Sequence, residues 1–214
     1  MQVTHEQLVD ALRGIHARRG GTPALLNLLR AGEVRGGSDV LLLSEMVSDQ
    51  QLKLDLAHHA MDEARHAFIL LRRMQELGYN PTRVPHDLDR LETLWERSRM
   101  RDVRHVYSDR GTIGEAEMME FTALAIIPER DAATKLRANH EALAGDPPTQ
   151  AVIMSILRDE ERHMAYLEAW LERFARRFSP RAVASTRERL EAVYREMDAV
   201  YYAGLQDYFA AAAA

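Results

Sequence analysis

Asp62-Glu63-Ala64-Arg65-His66 and Asp159-Glu160-Glu161-Arg162-His163 share one pattern, Asp-Glu-x-Arg-His, repeated at an offset of 97 residues. Both copies lie in long stretches whose apolar residues recur at three- and four-residue steps, the mark of a helix. Residues three apart share a helical face, so Glu63 with His66, and Glu160 with His163, each present one oxygen and one nitrogen donor together. Divalent iron and manganese accept that mixture of ligands. A single Glu-x-x-His is commonly part of a solvated charged face. Two copies with the same flanks point instead to an internal duplication.

A duplication asks each half for one more carboxylate, from the helix that precedes its motif. Register selects it. Ser48-Asp49 marks a turn, and Glu63 lies 15 residues beyond Ser48, about 22 Å along a helix. The antiparallel partner belongs about as far before the turn, where Glu33 stands. The second turn is near Gly145; Glu160 follows it by 15 residues and Glu129 precedes it by 16. Glu33 and Glu129 are 96 apart, one residue from the offset of the motifs. Glu45 is too close to its turn, and Glu117 and Glu120 overshoot Glu160 by more than about 10 Å in straight helices. Glu120 is the reserve for Glu129, and Glu45 a weaker reserve for Glu33. Four carboxylates converging in a core repel one another and are costly to bury. Two divalent cations would balance them, and six donors over two metals leave coordination positions open.

The remaining chain reads as helix throughout. Thr4 and Gln7 resemble a capping box for a first helix over 4–19, ended by Gly20-Gly21. Thr22-Pro23 reads as the start of a helix to about 47, with a bend or break expected at Gly36-Gly37. The next helix runs from Ser48-Asp49 to Gly78. A crossover follows, in which Leu88, Leu91, Leu94 and Trp95 suggest a further helix. A third long helix starts near Gly111-Thr112, with a kink expected at Pro128. A fourth covers 149–178, and Ser179-Pro180 restarts the chain into a last helix over 181–209. No strand is evident. The expectation is an all-α single domain over 1–214, with a bundle core at about 22–178 built from two hairpins joined by a long crossover.

Composition narrows the chemistry. With 214 residues and 46% apolar content, a packed globule is expected. The absence of cysteine excludes disulfides, thiolate clusters and cysteine nucleophiles. The net charge of −5 gives no reason to expect nucleic-acid binding. No apolar run approaches the ~20 residues of a membrane span, and the polar Met1-Gln2-Val3-Thr4 start is unlike a signal peptide. A soluble cytoplasmic protein is expected.

The order Glu, Glu-x-x-His, Glu, Glu-x-x-His resembles that of the ferritin-like di-iron carboxylate proteins, over roughly 22–178. The Asp-Glu-x-Arg-His form is most similar to their oxygen-activating oxidase and monooxygenase branch. The resemblance implies Glu33, Glu63, His66, Glu129, Glu160 and His163 as metal ligands. It implies Asp62 and Asp159 as acceptors for the second N–H of each histidine. It implies two iron ions, with manganese or a mixed Mn/Fe pair also compatible. Pro128, directly before Glu129, is a departure that bears on the placement of that ligand.

The leading expectation is an oxidoreductase that activates O2 to oxidise or hydroxylate a small organic substrate. Ala125, Ile126, Ile127, Ile153 and Ile156 are candidate pocket walls. With no glycine-rich nucleotide loop and no cysteine cluster, the electrons need a separate donor. The alternative is a ferritin- or rubrerythrin-like protein that handles iron or removes peroxide; the long crossover and the C-terminal helix speak against a storage cage. A non-enzymatic interaction protein would require six converging donors to be accidental. A monomer or small homo-oligomer is expected. His59, one turn before Glu63, reads equally well as pocket-facing or as a hydrogen-bonded core histidine. Tyr166 reads as core packing or pocket lining, and His58 and His140 as structural or exposed. Arg65 and Arg162 suggest ion pairs on the helix backs. The tyrosines at 194, 201, 202 and 208 suggest a cover over the bundle, and Arg97 to Arg110 a solvated face.

Overall fold

A computed structural model describes residues 4–98, 100 and 111–212. Among these there are eight α-helices and no strand. Helix α1 spans His5–His16, α2 Gly21–Met46, α3 Gln50–Glu76, α4 Arg90–Glu96, α5 Glu115–Ala142, α6 Pro147–Arg177, α7 Pro180–Glu196 and α8 Asp198–Ala212. The closest pairings are α2 with α3 and α5 with α6. These are the two hairpins that the repeat demands.

The helix ends follow local chemistry. The Thr4–Gln7 capping box forms as expected. Asp49 starts α3 by accepting from the backbone N–H groups of Gln51 and Leu52, at 2.9 and 3.0 Å. Asp146 does the same for α6 through Thr149, and Pro147-Pro148 occupy positions where no N–H is needed. Helix α2 begins at Gly21, one residue before the expected Thr22 cap. Gly20 takes a φ of 71°, a left-handed conformation that glycine adopts without strain, and so turns the chain sooner. Helix α5 begins at Glu115 rather than near Gly111, and it continues through Pro128.

The expected last helix over 181–209 is two helices, divided at Met197. The cause lies far away in sequence. Arg90 in the crossover donates from Nη2 to the Tyr194 carbonyl at 2.9 Å and also pairs with Asp198. That carbonyl is the one a continuing helix would offer to the N–H of residue 198. Helices α7 and α8 lie over the bundle as expected: Tyr194 donates to Asp131, and Tyr208 to the Ala24 carbonyl. In the crossover, α4 and a 3-10 turn at His86–Leu88 supply the expected helix. Of the basic stretch, Arg97 pairs with Glu196, while 99 and 101–110 lie outside the described residues.

Two apolar clusters bracket the centre of the bundle. One contains Leu43, Leu56, Ile126 and Leu167; the other contains Leu26, Leu70, Leu136 and Ile153. Burying each such side chain contributes about 1.5–3 kcal/mol. The clusters therefore hold the four long helices in register independently of the polar residues between them.

Candidate metal centre

Between the clusters, α2 contributes Glu33, α3 contributes His59, Glu63 and His66, α5 contributes Glu129, and α6 contributes Glu160 and His163. Their donor atoms form two groups, each with all atoms within 4.8 Å of one another: Glu33, Glu63, His66 and Glu160, and His59, Glu63, Glu129 and His163. The structure thus brings together all six residues that sequence register and resemblance selected, and adds His59. His66 Nδ1 lies 3.0 Å from Glu33 and 3.5 Å from Glu160. His163 Nδ1 lies 3.6 Å from each of Glu63, Glu129 and Glu160. Neither reserve joins them. Glu45 is exposed, and Glu120 is buried elsewhere with Arg189 at 2.8 Å.

Gly36 and Gly37 make the centre possible. A Cβ on Gly37 would stand 2.8 Å from Glu63 Cβ, and one on Gly36 would stand 3.3 Å from Glu63 Oε2. The expected break is absent. Helix α2 is continuous through the pair, which lets α3 and its carboxylate approach the α2 backbone.

The remaining nitrogens of the two motif histidines are crossed between the hairpins. His66 Nε2 is 3.0 Å from Asp159, and His163 Nε2 is 3.2 Å from Asp62. Arg65 pairs with Asp159, and Arg162 with Asp62 at 2.7 Å. The expectation for these arginines is corrected: their partners stand between α3 and α6, behind the histidines, not on the helix backs. Asp62 is shared by His163 and Arg162, and Asp159 by His66, Arg65 and Arg162, which fixes ring orientation and leaves Nδ1 directed into the cluster. The carboxyl of Asp62 is held low: burial opposes this, but His163 and Arg162 outweigh it.

The electrostatics are those of a cation site. Burial, then the charges of Glu33 and Glu129, push the Glu63 carboxyl well above its ordinary value. Burial and Glu129 do the same to Glu160. Burial also acts upward on Glu129, but Glu160, His59 and His163 hold it well below. Without cations, the charged forms of Glu63 and Glu160 are disfavoured. Three buried atoms of the second group, His59 Nε2, His163 Nδ1 and Glu129 Oε2, have no hydrogen-bond partner. They are close to one another yet misaligned for hydrogen bonds, because they converge on a common point. A cation there satisfies all three, so the donor set fits a pair of metal ions of the kind that takes mixed oxygen and nitrogen ligands.

Glu33, Glu63, Glu129 and Glu160 also lie on the wall of a cavity of about 1340 Å3, which extends between α2 and α5 towards α4 and α8. Leu28, Val40, Trp95, Phe121 and Leu124 form apolar parts of that wall. Of the apolar residues expected there, Ala125 lines it; Ile126, Ile127, Ile153 and Ile156 pack in the core instead.

The model of the ferritin-like domain matches residues 25–177. The chain belongs to the ferritin-like domain family. No curated protein and no solved structure matches it. Within this ferritin-like bundle, the sequence alone leaves the role of His59 open. Its signal was the four-residue spacing to Glu63, which places both on one face. Tyr166 belongs to the same region, with its hydroxyl 2.7 Å from His59 Nδ1. His58 is exposed, 4.0 Å from Asp62. No helix among the described residues is long and apolar enough to cross a membrane.

Proposed function

We propose that this chain is a non-haem di-iron oxidoreductase that activates O2 to oxidise or hydroxylate a small organic substrate. The observation that carries this reading is the cavity. Its volume of about 1340 Å3 is enough for an organic molecule, and four glutamates of the cluster open onto it. A protein that only passed iron through its bundle would have no use for a partly apolar cavity of that size at its carboxylates.

In this reading Glu33, Glu63, His66, Glu129, Glu160 and His163 hold the metals, and Asp62 and Asp159 orient the histidines. Two ferrous ions held by these residues would supply two electrons to O2. Hydroxylation of a C–H bond places one oxygen atom in the substrate and releases the other as water, with two protons consumed. A separate donor must then return two electrons, since the chain has no cysteine and no nucleotide loop. The apolar part of the wall, with Leu28, Val40, Phe121 and Leu124, offers the surface that places the substrate against the carboxylate face. Manganese or a mixed pair meets the same donor chemistry. Partners are thus O2, an organic substrate and a reductase, for a cytoplasmic monomer or small homo-oligomer.

The test is to mix the Fe(II)-loaded protein with O2 and then with successive excesses of Fe(II), with sizing of the product. The reading expects oxidation of the two bound ions only, in a particle of one or a few chains. Turnover of hundreds of iron atoms into a soluble core, in a 24-subunit particle, would replace it with iron storage.

A further inference from the structure

We propose that His59 is a third histidine ligand, held by Tyr166, so that one metal position has two imidazoles and the other has one. This rests on the di-metal reading above. The first observation is geometric. His59 Nε2 lies 3.3 Å from Glu63 and 3.2 Å from Glu129, and its ring stacks on that of His163 with centroids 3.7 Å apart. The side chain is buried, and Nε2 has no hydrogen-bond partner. A histidine there only for packing would leave a polar atom unsatisfied in the core, at a cost comparable to a lost hydrogen bond.

The second observation is the arrangement that His59 shares with the motif histidines. Each of the three directs one nitrogen at the cluster and the other at a partner outside it: Asp159 for His66, Asp62 for His163, and Tyr166 for His59. Metal-bound histidines have this arrangement because the outer partner fixes the tautomer and leaves the inner lone pair free. For His59 the proton sits on Nδ1 and is donated to the Tyr166 hydroxyl, and Nε2 is the ligand atom. A neutral phenol makes the ring a weaker donor than an aspartate would.

The third observation comes from the duplication. The offset of 97 carries His59 onto Ile156 and Tyr166 back onto Ile69. Both isoleucines belong to one apolar cluster. The same place in the bundle is therefore a polar pair on one side of the pseudo-repeat and an apolar pair on the other. Packing alone is met by isoleucine. The polar pair occurs where unsatisfied donors converge.

Co(II) loaded anaerobically into the full chain reports on this directly, because protons of bound imidazoles are strongly shifted by the paramagnetic ion. The unsubstituted protein is expected to show three shifted, solvent-exchangeable imidazole N–H resonances. They come from His66 Nε2–H, His163 Nε2–H and His59 Nδ1–H. Two such resonances, with two Co(II) bound, would overturn the proposal and leave the di-metal reading standing. No Co(II) and no Fe(II) bound at all would overturn both. In the variants, Tyr166→Phe is expected to weaken one of the two Co(II) sites about tenfold, the effect of losing an outer-shell partner. His59→Ala is expected to weaken the same site further and to shift its visible absorption. Two sites of unchanged affinity and unchanged absorption in a folded His59→Ala protein would mean that His59 only packs.

Discussion

The two hairpins carry the same ligand pattern in different surroundings. In α2–α3, Glu63 is seated against Gly36 and Gly37; at the repeat-related places in α5 stand Ala132 and Ala133. In α5–α6, Glu129 follows a proline; at the related place in α2 stands Gly32. His59 and Tyr166 face each other on one side, isoleucines on the other. The paired glutamates and motif histidines have been kept in both halves while the residues around them have diverged. The lesson is that the ligands and the bundle answer to separate constraints: the first to the cations, the second to the room that each helix pair leaves.

The largest effects should come from the shared part. His66→Ala and His163→Ala are each expected to abolish binding at one metal position while helical content stays near that of the parent, since apolar burial holds the bundle. Elemental analysis with circular dichroism checks both. Loss of helix on either substitution would mean that the metals hold the fold. Glu129→Ala should act like the histidine changes and Glu120→Ala should leave two metals bound, because Glu120 is paired with Arg189 outside the cluster. The reverse would show that Pro128 turns α5 to present the other carboxylate.

The divergent part predicts an unequal pair of substitutions. Gly37→Ala puts a methyl at 2.8 Å from Glu63 Cβ, so it should cost about 1–3 kcal/mol as an overpacked contact and weaken metal binding too. The related Ala133→Gly should cost about 1–2 kcal/mol through backbone entropy and the loss of a buried methyl, and leave the metals in place. Chemical denaturation with a metal count distinguishes them. Equal costs, with no loss of metal from Gly37→Ala, would break the comparison.

A smaller effect follows from protons. Glu63 and Glu160 are held above their ordinary value of 4.5. The metal-free folded chain therefore keeps protons that the unfolded chain releases as pH rises past that value. Stability contributed by these two groups is full below pH 4.5 and is lost as pH rises towards their folded values. Glu129, held low, contributes with the opposite sign, and its share is lost only as pH falls below 4.5. Between mildly acidic and neutral pH, thermal unfolding of the metal-free protein should shift downward. With metal bound the carboxylates are ionised in the folded state and the shift should disappear. A metal-free midpoint that does not change over that range would contradict the assigned protonation.

These contrasts also mark what was legible in the sequence. The hairpins and Glu33 and Glu129 followed from a repeat offset and a helical rise, both local and regular. The division of the last helix at Met197 did not, because its cause is Arg90, 104 residues before the carbonyl it takes. His59 stayed ambiguous for the same reason: its outer partner, Tyr166, is 107 residues away. The glycine pair is visible in the sequence only as a weak point in a helix, since sequence shows the missing side chain and not the carboxylate that fills the space.

The measurement closest to the central claim is an anaerobic equilibrium titration of the metal-free protein with Fe(II), counted by elemental analysis of the desalted complex. The six converging donors predict a break at two equivalents per chain. A break at one equivalent, or no retained iron, would contradict the di-metal centre.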